Sequence, residues 1–152
     1  MVRDVTNDGP PFRISRDGTW WHGDQKIQRH ELVRLFASIL TRDTDGSYWL
    51  SNPAERCRVN VEDVPYVIEA ASFSGDTVTM ASSLGEKVVL SKEHPLVMRG
   101  GVPYVMVRGG CEGRVSTSVY YELVKHGERR GGSLWLRSGA SSFLLGGIDE
   151  DG

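Results

Sequence analysis

The sequence predicts an α+β protein built as two tandem β-rich lobes, mostly antiparallel strands with one main helix in each. Three observations predict it. Short runs of β-branched and aromatic residues, bounded by Gly, Pro, Asp and Asn, recur along the chain, which is the pattern of strands joined by tight turns. Residues 28–40 carry apolar residues at helical spacing, and residues 118–126 are bounded by N-cap hydroxyls and a C-terminal glycine. One phrase is also said twice: Val64-Pro65-Tyr66-Val67-Ile68 returns as Val102-Pro103-Tyr104-Val105-Met106. Each copy reads as the opening of a strand, where the missing N–H of proline is tolerated.

The totals bound the class. A chain of 152 residues, 39% hydrophobic and 25% charged, buries about two-thirds of its unfolded surface, enough for one core or two small lobes. No apolar run approaches the ~18 residues of a membrane helix, and the polar start Met1-Val2-Arg3-Asp4 is no signal peptide. Cys57 and Cys111 lack partners at metal-ligand spacing and read as reduced thiols, which predicts a cytoplasmic protein. The net charge of −2 argues against general nucleic-acid binding, which needs a basic surface to neutralise phosphates. Fourteen arginines against four lysines suit forked contacts to phosphate or carboxylate, although base composition alone produces the same bias.

In chain order, residues 1–11 read as a flexible leader closed by Pro10-Pro11. The N-terminal lobe is expected over residues 12–73. Phe12-Arg13-Ile14 alternates, Asp17-Gly18 is a hairpin signal, and Thr19-Trp20-Trp21-His22 returns. Adjacent strand residues face opposite ways, so Trp20 and Trp21 are not both core. In helix 28–40, Leu32, Leu35, Phe36, Ile39 and Leu40 form the apolar stripe. After the turn at 42–46 come strands at 47–50 and 56–61; in the latter Cys57, Val59 and Val61 face one way and Arg56, Arg58 and Asn60 the other. The first Val-Pro-Tyr strand follows.

The C-terminal lobe is expected over residues 74–145. Strands are read at 77–82 and 87–90, around Leu96, and in the second Val-Pro-Tyr copy, which ends at Arg108-Gly109-Gly110. Ser116-Thr117-Ser118 offers N-cap hydroxyls to helix 118–126, which closes on Lys125, His126 and Gly127. Strands at 133–137 and 142–145 complete the lobe, and residues 146–152 form an acidic tail. Matches between Arg16-Asp17-Gly18 and Arg108-Gly109-Gly110, Glu31-Leu32-Val33 and Glu122-Leu123-Val124, and Tyr48-Trp49-Leu50 and Leu134-Trp135-Leu136 suggest a repeated β–β–helix–β unit.

The runs Phe12-Arg13-Ile14, Asp17-Gly18-Thr19-Trp20, Glu31-Leu32-Val33-Arg34-Leu35-Phe36, Val61-Glu62-Asp63-Val64-Pro65, His94-Pro95-Leu96, Pro103-Tyr104-Val105-Met106-Val107-Arg108 and Val119-Tyr120-Tyr121-Glu122-Leu123-Val124 resemble a bacterial family catalogued as domain of unknown function 1285. The resemblance spans residues 12–145. It implies a duplicated β-rich unit whose second half looks superficially like a pleckstrin-homology fold. It also implies a site for a nucleotide-like ligand between the halves, in signalling. Cys111 stands where that pattern leads one to expect a larger aliphatic residue, and Gly113 where it leads one to expect alanine.

A nucleotide-type site needs flat surfaces for a base and forked donors for phosphate. Trp20 or Trp21, Tyr104, Tyr120 and Tyr121 supply the first, and Arg29, Arg34, Arg58, Arg108 and Arg114 the second. Glu62 and Asp63 are placed to receive a ribose hydroxyl or an arginine. The expected ligand-binding set is Trp20, Arg29, Arg34, Glu62, Asp63, Tyr104, Arg108, Tyr120 and Tyr121, with no catalytic residue, metal or cofactor. His22, His30, His94 and His126 are scattered without ligand spacing, no Gly-x-Ser-x-Gly elbow is present, and the paired glycines lack the following Lys-Ser/Thr of a phosphate loop. The sequence therefore reads as a regulatory or signalling domain for a small anionic ligand, with an unidentified signalling partner. The alternative is a protein-interaction adaptor without a small-molecule ligand.

Overall fold

The computed structural model of the chain describes residues 3–5 and 11–147. Most of the expected acidic tail lies outside the described residues, while Gly146 and Gly147 end the last strand. The leader is not loose throughout, because Arg3–Val5 forms strand β1, laid parallel along Glu55, Arg56 and Cys57. The other residues before Pro11 lie outside the described ones. The chain divides into two compact units, the first running up to Pro65 together with Gly109–Cys111, the second holding the rest.

The first unit is one sheet and one helix. Its elements are β2 (Phe12–Ile14), β3 (Trp20–His22), β4 (Gln25–Lys26), α1 (His30–Ser38), β5 (Leu40–Arg42), β6 (Tyr48–Ser51) and β7 (Glu55–Val61). The strand order is β4-β3-β2-β7-β6-β5. The pair β2–β7 is parallel and the other neighbours on this path are antiparallel. Since β6 occupies one edge of β7, β1 and β2 share the other edge in succession, β1 beside residues 55–57 and β2 beside residues 59–61.

Alternation decides the two tryptophans. Trp20 is opposite Ile14, is 1% exposed and stacks on Phe36 of α1 with ring centroids 6.1 Å apart. Phe36 also meets Phe12 edge-on at 5.4 Å, so α1 covers the sheet face that carries Phe12, Ile14 and Trp20. Burying one aromatic of this size removes ~150–250 Å² from water, which at ~25 cal/mol per Å² is ~4–6 kcal/mol before entropy is counted. Trp21 therefore points to the opposite face.

Two expectations about α1 are corrected. It spans His30–Ser38 rather than 28–40, since Ile39 caps it and Leu40 begins β5 opposite Leu50. Its buried side is also rotated. Val33 and Ala37 are buried, whereas Leu35 is 58% and Ile39 38% exposed.

The second unit opens at Tyr66, not after residue 73. Strand β8 (Tyr66–Ser74) pairs with β9 (Thr77–Ser82) and β13 (Cys111–Val115), and its ladder assigns it to the second sheet. With β10 (Lys87–Val89), β11 (Leu96–Arg99) and β12 (Val102–Arg108) the order is β10-β9-β8-β13-β12-β11. Helix α2 (Thr117–Lys125) follows, capped by the Ser116 hydroxyl accepting from the Val119 amide. A three-stranded sheet ends the described chain: β14 (Glu128–Arg130), β15 (Ser133–Ser138) and β16 (Ser141–Gly147). Helix α2 packs on β8 and β15, while β15 and β16 meet β9 and β11. The core of the unit gathers Ile68, Met80, Val105, Val115, Leu123, Leu136 and Leu145.

The duplication is present, in a different register from the one the sequence suggests. Each six-stranded path is two three-stranded meanders joined by a central parallel pair, β2–β7 in the first sheet and β8–β13 in the second. Phe12↔Val59, Arg13↔Asn60 and Ile14↔Val61 correspond to Tyr66↔Gly113, Val67↔Arg114 and Ile68↔Val115, all displaced by 54 residues. The next hydrogen bond obeys the same displacement, Glu62 N–H to Ile14 O and Ser116 N–H to Ile68 O. The repeated Val-Pro-Tyr phrases fall on β8 and β12, which are not equivalent strands, and α1 has no helical counterpart between β10 and β11.

Candidate ligand-binding face of the first sheet

The face of the first sheet opposite α1 carries a cross-strand row. Register partners share a face, so Thr41 lies beside Trp49, and Trp49 beside Arg58. Two residues along β7, Asn60 faces the same way and is partnered by Arg13, which is opposite Trp21, which is opposite Lys26. Arg56 shares this side of β7, since it is two residues from Arg58. The result is a row across six strands in which Trp49 and Trp21 flank Arg58, Asn60 and Arg13. Thr41, Arg58, Asn60 and Lys26 are exposed, whereas Trp49 is 6% exposed and Trp21 is half-buried.

The geometry follows from charge and hydrogen bonding. The Arg56 guanidinium lies 3.9 Å from the Trp49 ring centroid, with Arg58 at 5.8 Å, and Arg13 lies 5.0 Å from that of Trp21. Such contacts are worth ~0.5–1 kcal/mol at exposed sites. Both indole N–H groups donate to serines, Trp49 to Ser47 Oγ at 2.8 Å and Trp21 to Ser15 Oγ at 3.2 Å, which fixes the planes of the rings. Two of the arginines are held by carboxylates: Arg56 donates to Asp43 Oδ2 at 2.7 Å and Arg13 to Glu62 Oε1 at 2.9 Å. Glu62 Oε2 accepts from the Arg16 amide at 2.9 Å. Arg58 has no ion-pair partner among the described residues. Arg58 acts on Asp45, whose carboxyl is held below its ordinary range by the Ser47 hydroxyl and amide and, less, by Arg58.

The sequence-predicted set does not converge here. Trp20 is core, and Tyr104 is 6% exposed beneath the Arg99 guanidinium, 4.0 Å from its ring. Arg29 and Arg34 stand in solvent on α1, Arg29 being 3.9 Å from Glu31. Tyr120 is tied down by its hydroxyl donating to Leu145 O at 2.7 Å, while Tyr121 is 62% exposed. Arg108 Nε donates to the Tyr66 hydroxyl at 3.3 Å. Glu62 and Asp63 both engage arginines, Asp63 lying 3.7 Å from Arg16, so these two border the row. The sequence offers Trp21 and Arg58 as candidates outside that set, and it gives no signal for Arg13 and Trp49. Alternation already put Arg56, Arg58 and Asn60 on one side. What joins them to Trp21 is the parallel pairing of β2 with β7, a long-range contact without local signature. Burial pushes the Cys57 thiol up, away from nucleophilic reactivity.

Fold and face together define a small duplicated-sheet α+β protein whose first sheet packs arginines over two tryptophans on the face opposite α1. The chain belongs to the DUF1285 family. Residues 6–64 match the model described as Domain of unknown function (DUF1285), N-terminal domain, and residues 65–145 that described as Protein of unknown function (DUF1285), C-terminal domain. Among solved structures, a DUF1285 family protein from Silicibacter pomeroyi DSS-3 is 30% identical with a TM-score of 0.87, over 98% of this chain and 86% of that one. A DUF1285 family protein from Shewanella baltica OS155 is 26% identical with a TM-score of 0.64, over 76% of this chain and 91% of that one. Among curated proteins, none matches. The family boundary at 64/65 lies one residue before the division after Pro65.

Proposed function

We propose that this chain is a cytoplasmic regulatory domain that binds a small nucleotide-like anion on the Arg–Trp face of its first sheet. The observation that carries the reading is the row Trp49–Arg58–Asn60–Arg13–Trp21. It offers a half-buried indole for a planar ring and, in Arg58, a forked cation with no ion-pair partner among the described residues. Arg13 and Arg56, already neutralised by Glu62 and Asp43, hold the tryptophans in place without adding net positive charge. That balance favours a small anion over a polyanion, which needs many uncompensated cations. Neither Cys57 nor Cys111 is in a disulfide, which suits a reducing compartment.

The test is a thermal-shift screen against nucleoside mono- and diphosphates and cyclic dinucleotides. A ligand at ~100 times its Kd adds ~2.7 kcal/mol, a rise of roughly 5–10 °C for a chain of this size. A rise that disappears in Arg58→Ala supports the reading. A flat response from the folded protein overturns it in favour of the adaptor, for which the exposed Leu35 and Ile39, one turn apart on α1, are the specific observation.

A further inference from the structure

We propose that the second unit carries a separate site for a small zwitterion of amino-acid size, in the cleft between the β8–β9 turn and the segment from the end of α2 to β15. The cleft holds about 220 Å³, below the ~300–1,000 Å³ of pockets that enclose drug-sized ligands. That volume excludes a dinucleotide and suits an amino acid.

Its surfaces are of three kinds. Val78 and Leu136, both buried, make an apolar floor. Phe73 and His126 make one wall, stacked face to face with centroids 3.6 Å apart and planes at 6°. His126 Nδ1 lies 3.0 Å from Glu122 O. A carbonyl only accepts, so Nδ1 carries a proton and Nε2 is left as the polar atom of the ring. The rim is charged with both signs: Asp76 on the hairpin turn, and Glu128 and Arg137 on the other side. Glu128 is engaged by Arg130 at 3.1 Å. Neither Asp76 nor Arg137 has an ion-pair partner among the described residues.

Two hydrogen bonds fix the rims relative to each other. The Gly139 amide donates to Asp76 O at 2.7 Å, and the Val78 amide donates to the buried Ser138 Oγ at 3.0 Å. Gly75, at φ +58, takes the first position of the two-residue turn, where positive φ is required, and so presents Asp76 at the cleft mouth. A simple anion entering here meets Asp76 and Glu128, and a simple cation meets Arg137. An α-amino acid satisfies both signs. Its carboxylate takes the Arg137 fork, its ammonium takes Asp76, and an aliphatic side chain covers Val78 and Leu136.

The experiment titrates the full chain with L-leucine, with leucinamide, which lacks the carboxylate, and with 4-methylpentanoate, which lacks the ammonium. Leucine should raise Tm and both analogues should fail. Arg137→Gln and Asp76→Asn, both at exposed positions and checked for wild-type circular dichroism, should each weaken leucine binding tenfold or more. Arg58→Ala should leave it unchanged, which separates this site from the first-sheet face. No response to leucine or to any other apolar L-amino acid overturns the proposal. So does a response that survives both rim variants, or one that either analogue reproduces.

Discussion

Trp20 and Trp21 are neighbours with opposite fates, and the difference is one step of strand alternation. The pair itself was legible, since two adjacent strand residues cannot share a face. Which one is buried was not, because it depends on where α1 lands. Phe36 settles it by stacking on Trp20, which leaves Trp21 with Arg13 on the solvent face. A residue-scale prediction concerns Asp17, whose pKa is lowered from 3.8 to about 2, chiefly by the Ser15 hydroxyl and then by Thr19. The folded state favours the carboxylate, so its stabilisation is complete above the unfolded value near 4 and is lost as pH falls through about 2. A displacement that large at a buried site would be worth over ~2 kcal/mol, but Asp17 is exposed and screening reduces it to below ~1 kcal/mol. Asp17→Asn should flatten stability between pH 4 and pH 2 in urea titrations. An unchanged acid slope would count against the bond.

Elements were more legible than their orientation. The first helix is legible from periodicity, the second from its cap residues and most strands from turn residues, yet the apolar stripe of α1 is turned so that Leu35 and Ile39 are solvent residues. A stripe with apolar residues at 32, 33, 35, 36, 37, 39 and 40 is too broad to name its own centre, and tertiary packing chooses Val33 and Ala37. Leu35→Ala should therefore change unfolding free energy by less than ~0.5 kcal/mol, whereas Leu123→Ala, fully buried in α2, should cost ~2–5 kcal/mol. Equal losses in chemical denaturation would restore the stripe read from sequence. The departure at Gly113 now has a cause. A Cβ there would sit 2.9 Å from Ile68 Cδ1 and 3.3 Å from Tyr66 Cβ, because the parallel register brings Gly113 opposite Tyr66. Gly113→Ala should destabilise by ~1–3 kcal/mol through overpacking, and Ile68→Val in the same chain should recover part of that loss.

For the whole molecule, repetition was audible in the sequence but placed on the wrong strands. Short matches such as Val-Pro-Tyr align β8 with β12, while hydrogen-bonding equivalence aligns β2 with β8 and β7 with β13 through a constant displacement of 54 residues. Parallel pairing joins strands far apart in sequence, so no local pattern announces it. The same long-range ladder assembles the Arg–Trp row, which explains why the chemistry of the candidate site was anticipated and its membership was not. The structure departs from the sequence expectation most sharply at two arginines. Arg108 donates to Tyr66 and belongs to the packing of the second unit, while Arg58 faces solvent without a carboxylate partner among the described residues. The measurement that separates them is a calorimetric titration of wild type, Arg58→Ala and Arg108→Ala with AMP. A charge-assisted contact of ~1.5–3 kcal/mol predicts a loss of tenfold or more in affinity for Arg58→Ala. Arg108→Ala should bind as wild type while melting at a lower temperature. Undiminished binding by Arg58→Ala, with binding lost in a folded Arg108→Ala, would contradict the account.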